Sequence, residues 1–185
     1  IKLSGKLIKK MYDKFKNSKK IGILGSKIYN IDNSFQESCR RMFPTPMLLL
    51  KRLLFNLSII KENAYNYSYV DKNQQCEVDS VSGACMMFPV SLYYELKGFD
   101  ERFFLYFEDT DFCYQAKKKG YKIIYNPEVS IYHHKYGSSN NRILMNRIHF
   151  YVSMFKFLFK YRSNYISFNY LFYLMFIIFV IFNLI

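Results

Sequence analysis

Five of the chain's fourteen acidic residues, Asp100, Glu101, Glu108, Asp109 and Asp111, fall in one short stretch. Five aromatic residues, Phe99, Phe103, Phe104, Tyr106 and Phe107, are threaded between them. Carboxylates set among rings lose hydration, and that loss is tolerated only where the charge is paired, hydrogen-bonded or put to chemical use. A solvated acidic loop needs no such frame. The stretch is therefore expected to fold as an ordered, partly buried segment around which the rest of the chain is arranged. Two adjacent histidines, His133 and His134, follow it. Carboxylates in an apolar frame and imidazoles downstream are the raw material of a general base and a metal ligand.

The apolar pattern puts these groups on an α/β framework of alternating strands and helices. Leu3, Leu7, Ile8, Met11, Tyr12 and Phe15 recur at helical spacing between lysines, which predicts an amphipathic helix over 3–15 packed on a sheet. The apolar run Ile21 to Tyr29 predicts a buried strand. Asp32-Asn33-Ser34 predicts a turn. Phe35 to Met42 reads as extended up to Pro44-Thr45-Pro46, and Met47 to Ile60 as helical. Asn63 to Gln75 is polar and aperiodic, a loop. Glu77 to Phe88 reads as one strand with Gly83 a point of close approach. Pro89 opens a helix to Leu96 that Gly98 stops. Asp109 or Thr110 is expected to cap the next helix, which ends at Lys119 before Gly120. Tyr121 to Tyr125 is a strand, interrupted at Asn126-Pro127 and resumed from Val129 to Tyr132.

Charge narrows the partners. The net charge is +13, from 27 Lys and Arg against 14 acids, and after Asp111 the only acid is Glu128. Nucleic acid, an anionic membrane and phosphorylated substrates all suit such a balance. No RNA- or DNA-binding signature occurs, so no nucleic-acid partner is expected. Residues 165–185 form 21 consecutive positions without a charge, the length of a membrane-spanning helix. Lys156, Lys160 and Arg162 precede them, and the positive-inside rule then puts the preceding domain on the cytoplasmic face of the cell membrane. Cys39, Cys76, Cys85 and Cys113 form no C-x-x-C pair, as expected of reduced thiols. The expected organisation is a catalytic part over 1–140, a basic aromatic linker or interfacial helix over 141–163, and a transmembrane helix over 164–185.

The ordered series GACMMF, GFDERFFLYFEDTDF, GYKIIYNPEVSIYHH and Ser138-Ser139, preceded by IGILGSKIY and FQESCRRMFPTP, resembles the second half of a family 2 glycosyltransferase, closest to the bacterial rhamnosyltransferase-like enzymes. The resemblance covers residues 15–140. It implies a partial GT-A (Rossmann-like) domain and an inverting single displacement. A sugar, rhamnose for instance, would pass from a nucleotide-sugar donor to a glycan or lipid-linked acceptor in cell-surface polysaccharide synthesis. Such chemistry needs a carboxylate to take the acceptor's proton, and a divalent metal, Mg or Mn, to neutralise the leaving diphosphate.

The resemblance carries roles onto particular residues. Asp109 matches the family's catalytic base, with Glu108 beside it. Asp111 matches the second acid, which supports the loop and the helix start and belongs to the substrate-binding set. Gly83 and Ala84 match the small pair that the sugars approach. His133 matches a histidine that reaches metal or diphosphate, with His134 as the alternative. Two departures stand out. Gln115 occupies the place of an expected Arg. The D-x-D motif that would hold most of the metal is missing ahead of residues 3–15, so the chain is expected to be the acceptor half without the donor half. The alternative function is an inactive, membrane-anchored interaction module.

Overall fold

The structure, a computed structural model, describes residues 5–16, 20–45, 48, 64–133 and 140–163. It is mixed α/β. Helix α1 (Gly5–Lys16) precedes strand β1 (Ile21–Tyr29), followed by the short strands β2 (Arg40–Arg41), β3 (Cys76–Glu77), β4 (Ser80–Val81) and β5 (Met86–Met87). Helices α2 (Val90–Glu95) and α3 (Glu108–Lys118), strand β6 (Lys122–Tyr132) and helix α4 (Asn140–Lys160) complete it.

The sheet is built on β1 and β6, which run parallel from Ile21 opposite Lys122 to Tyr29 opposite Tyr132. Its order is β3-β6-β1-β5, with β3 and β5 antiparallel to their neighbours, and β2 and β4 form a separate two-stranded ribbon. β1 is buried from Gly22 to Ile28, Ser26 and Lys27 included, as its largely apolar run predicts for a strand covered on both faces. Gly25 makes room for the ribbon. A Cβ there would lie 2.4 Å from Cβ of Val81, so any side chain would push β4 away. Helix α1 covers the sheet through Met11, with Leu7 and Phe15 packed beside it. Its lysines face solvent, and Lys14 bridges to Glu128 at 3.1 Å.

The expected interruption at Asn126-Pro127 is a bulge inside one continuous strand. Ser26 pairs with Asn126 but Lys27 pairs with Ser130, so the residues between are looped out where Pro127 has no N–H to give. The expected single strand from Glu77 to Phe88 is instead three two-residue strands. Asp79 leaves the ladder to accept from the Phe43 amide and from Lys117 Nζ. Ser82 then caps a 3-10 turn over Gly83–Cys85, with Oγ accepting from the Ala84 amide. Local turn chemistry outcompetes alternation there. The expected extended run from Phe35 to Met42 is likewise broken, by a 3-10 turn over Glu37–Cys39. The polar loop after residue 63 is tied down from an unforeseen quarter. The buried Arg40 donates to the carbonyls of Tyr67, Val70 and Asp71 and stacks 4.8 Å over the Tyr125 ring.

A second apolar cluster joins α4 to the domain. Phe103 and Phe107, from the acid-aromatic stretch, pack with Met154, Phe157, Leu158 and Tyr161. Among the described residues no helix is long and apolar enough to cross a membrane. The expected span over 165–185, the expected helix over 47–60 apart from Leu48, and His134 lie outside the described residues.

Candidate active site

The acid-aromatic stretch ends in a strained entry to α3. Tyr106 and Phe107 both adopt left-handed backbone, with φ of 66° and 70°. Bulky residues pay about 1–3 kcal/mol each for that conformation, so surrounding contacts must hold it. Phe107 is buried against Phe150 and Phe157 of α4, with ring centroids 5.4 and 5.8 Å away, and Tyr106 meets Phe150 edge-on. The helix then starts at Glu108, with Phe107 at the N-cap position and no side-chain cap. Asp109 and Thr110 therefore lie inside the first turn, and neither is the N-cap residue. The three acids there, Glu108, Asp109 and Asp111, suit the positive end of the helix dipole.

Asp109 is 6% exposed and fully engaged. Oδ2 forms an ion pair with Arg41 of β2 at 2.7 Å and accepts the Gly83 amide at 2.9 Å. Oδ1 accepts the Thr110 amide at 2.7 Å. Burial alone would raise its pKa, but the Arg41 charge and these hydrogen bonds bring it below the ordinary carboxylate value. Asp109 is thus ionised and held still. Gly83, above it, is exposed. A Cβ at Gly83 would fit, 3.4 Å from Cβ of Asp109 and 3.7 Å from Oδ2. At Gly83 the carboxylate is met by backbone, and Arg41 covers the same oxygen from β2. Ala84 follows in the same 3-10 turn.

Glu108 is tuned the opposite way. Its Oε2 is buried without a hydrogen-bond partner among the described residues. Burial, and then the charge of Asp109, push its pKa up. Two adjacent carboxyls therefore have pKa values driven apart, the pattern that separates a fixed anion from a proton acceptor.

Asp111 stands apart from this pair. It is fully buried, and its oxygens accept from Lys160 Nζ at 2.7 and 2.8 Å, Tyr161 Oη at 2.7 Å and Gln115 Nε2 at 2.7 Å. The cation missing at Gln115 is replaced by Lys160, which arrives from α4. Lys160 also meets Asp100 at 2.8 Å, and Asp100 is held well below the usual carboxylate range by Arg102 and, against some burial, by Lys160. Asp100 thus fixes the loop ahead of α3 rather than facing the Asp109 pair.

His133 sits at the end of β6, its amide donating to the Tyr29 carbonyl at 2.9 Å. Among the described residues no group of three or more His, Cys, Asp or Glu side chains is close enough to hold a metal ion. The described donors do not make a metal centre by themselves, and His133 is not joined to the Asp109 pair in one. The structure thus brings together Gly83, Ala84, Glu108 and Asp109, and places Asp111 in another cluster. The residues missed from sequence are Arg41, Lys160 and Tyr161. Arg41 lies within the quoted FQESCRRMF, but nothing local says which of its two arginines meets the acid and which straps the loop.

A family model described as glycosyltransferase like family 2 matches residues 3–148. An N-acetylglucosaminyl-diphospho-decaprenol L-rhamnosyltransferase of Mycobacterium tuberculosis is 30% identical over 118 residues, 62% of this chain and 38% of that protein. A low-salt glycan biosynthesis hexosyltransferase of Haloferax volcanii is 37% identical over 46 residues, 25% of this chain and 15% of that protein. The chain thus spans well under half the length of the curated relatives it matches.

Proposed function

The chain belongs to the glycosyltransferase like family 2, and from that premise we propose that it provides the acceptor-side half of a sugar-transfer reaction centred on Asp109. A nucleotide sugar is the donor, and the acceptor is a glycan or lipid-linked hydroxyl, as the polyprenol in one relative's name suggests. Rhamnose is the sugar that name favours. Transfer is an inverting displacement. The acceptor oxygen attacks the anomeric carbon, the bond to the diphosphate breaks, and the hydroxyl proton passes to a carboxylate.

The observation that carries this reading is the hydrogen bond from the exposed Gly83 to the buried, ionised Asp109. It puts an anion directly beneath an uncovered piece of backbone, where a hydroxyl can approach. The Arg41 ion pair, the Gly83 and Thr110 amides and the left-handed entry through Phe107 keep that anion in place. This is positioning that need not be assembled during reaction. A divalent metal, when bound, would offset charge on the diphosphate, and His133 is the described residue proposed to reach it. No step here is routed through that ion, because the described donors are too few to hold it.

Glu108 supports a second assignment of the base. A proton acceptor works best with a pKa near the working pH. The raised carboxyl of Glu108 suits that better than the depressed one of Asp109. Steady-state transfer, with donor affinity measured separately, decides between them in the longest natural reading frame containing these residues. If Asp109 is the base, Asp109→Asn lowers kcat by on the order of 10²–10⁴ with donor affinity retained, and Glu108→Gln lowers it less. The reverse ranking transfers the role to Glu108. If neither substitution lowers kcat, the proton goes elsewhere and this site is wrongly assigned.

A further inference from the structure

We infer that the outer face of α4, together with Phe104, is a docking surface for an anionic lipid bilayer. This inference concerns where the domain sits and does not depend on which carboxylate is the base.

The inner face of α4 is spent on the domain, with Met154, Phe157 and Leu158 all buried. The opposite face is apolar as well. Met145, Val152 and Phe159 are 50%, 45% and 47% exposed and recur every seven residues, which aligns them along one side of the helix. Phe104, in the loop before α3, is 83% exposed, the most of any large hydrophobic among the described residues. Its ring lies 5.7 Å from that of His149 on α4. Lys156 Nζ donates to the Arg102 carbonyl at 2.8 Å, which ties the loop to the helix. Single exposed apolar side chains are ordinary, but an aligned set that continues onto a neighbouring loop marks an interaction surface.

Three observations commit the surface to lipid. First, α4 contains no acid, its Lys156 is exposed, its Lys160 is already committed to Asp100 and Asp111, and the exposed Arg162 follows with its guanidinium 4.3 Å over the Phe159 ring. The exposed acid near this face is Glu101, next to Arg102. Anionic headgroups match that balance. Second, a second copy of this chain would bring the same cations against themselves at a net charge of +13 each. Third, the sequence after α4 continues into residues 165–185, which carry no charge. An interfacial helix with cations beside an apolar stripe sinks only ~5–10 Å into the headgroup boundary. Such a depth suits α4, whose other face stays on the domain.

The chain contains no Trp, so single Trp substitutions give an unambiguous test. The full chain is reconstituted into vesicles of phosphatidylcholine with phosphatidylglycerol, carrying Phe104→Trp, Phe159→Trp or, as a control outside the surface, Tyr12→Trp. The expected result is blue-shifted emission at positions 104 and 159, quenched by lipids brominated near the headgroup more than by lipids brominated at the chain ends. The control should be unshifted and unquenched. Quenching at 104 and 159 should weaken in phosphatidylcholine alone, and in the Lys156→Glu, Arg162→Glu background. If positions 104 and 159 remain as water-exposed as the control, the domain is held off the bilayer and the inference fails. A blue shift without lipid quenching would mean that protein covers the face, which also overturns it. Equal quenching in neutral lipid removes the anionic requirement and overturns that part.

Discussion

Asp109 and Asp111 stand two residues apart on the first turn of α3, both buried and both paired with a cation from a distant element. Two residues along an α-helix lie ~200° apart around its axis, so one turn serves two unrelated clusters. Asp111 is enclosed by side chains, namely Lys160, Tyr161 and Gln115, and backed by the aromatic cluster of α4. Asp109 meets Arg41, two backbone amides and a neighbour, Glu108, whose buried oxygen has no partner among the described residues. Burial and ion pairing are therefore shared, and neither singles out a reacting group. What differs is what lies beyond the partners: packed rings behind Asp111, an exposed glycine above Asp109. The first arrangement stores stability, and the second leaves access.

The largest expected effect breaks this comparison at Asp109. Asn there keeps the shape but strands Arg41, so Asp109→Asn is expected to lose roughly 3 kcal/mol of stability as well as turnover. Adding Arg41→Met removes the stranded charge. The double variant should regain most of the lost stability in denaturant titration and none of the lost transfer, which remains down by on the order of 10² or more. Recovery of transfer in the double variant would show Asp109 to be a strut.

Next comes the matching experiment at Asp111. Lys160→Met leaves a fully buried carboxylate without its cation and should destabilise by about 2–3 kcal/mol, less than a sealed pair because Lys160 is partly exposed. Adding Gln115→Arg to Lys160→Met is expected to restore stability, since residue 115 already reaches Asp111. Transfer per folded molecule should stay near wild type throughout. A fall in kcat that does not follow the melting curve would place Asp111 in the reaction.

The smallest effect concerns Glu108 and is set by pH. Its folded pKa is raised, so ionising it costs the folded state, and the cost appears as pH rises above the unfolded value. Glu108→Gln should therefore stabilise at pH 7, by under ~1 kcal/mol because partial exposure screens the charge, and the gain should vanish in acid. Asp109 has the opposite sign. Its folded pKa is lowered, so it contributes stability above the ordinary value that is lost as pH falls through the folded one. Melting temperature against pH checks both, and a destabilising Glu108→Gln at pH 7 would mean that Glu108 has a partner in solution.

Much of the framework was legible in local sequence. β1 spans the predicted Ile21 to Tyr29, α1 lies on the predicted helical spacing, and α2 and α3 end where Gly98 and Gly120, both at positive φ, stop them. Periodicity and terminator chemistry act over a few residues, so they can be read one window at a time. The broken run after Glu77 was not legible, because the bonds that break it come from Phe43 and Lys117. The helix cap was misplaced for the same reason. The left-handed Phe107 is held by α4, not by its own neighbours.

The candidate site divides along the same line. The acid-aromatic stretch by itself determined that carboxylates would be buried and paired, because rings exclude the water that would otherwise solvate them. Its order of motifs determined the family. Only the tertiary structure decided which carboxylate meets which cation: Arg41 rather than Arg40 for Asp109, and Lys160 in place of a cation at Gln115 for Asp111. Those choices depend on how a two-residue strand and a helix from the far end of the chain pack around one turn of α3. Electrostatic partnership is a matter of a few ångströms in space, and separation along the sequence carries no record of it.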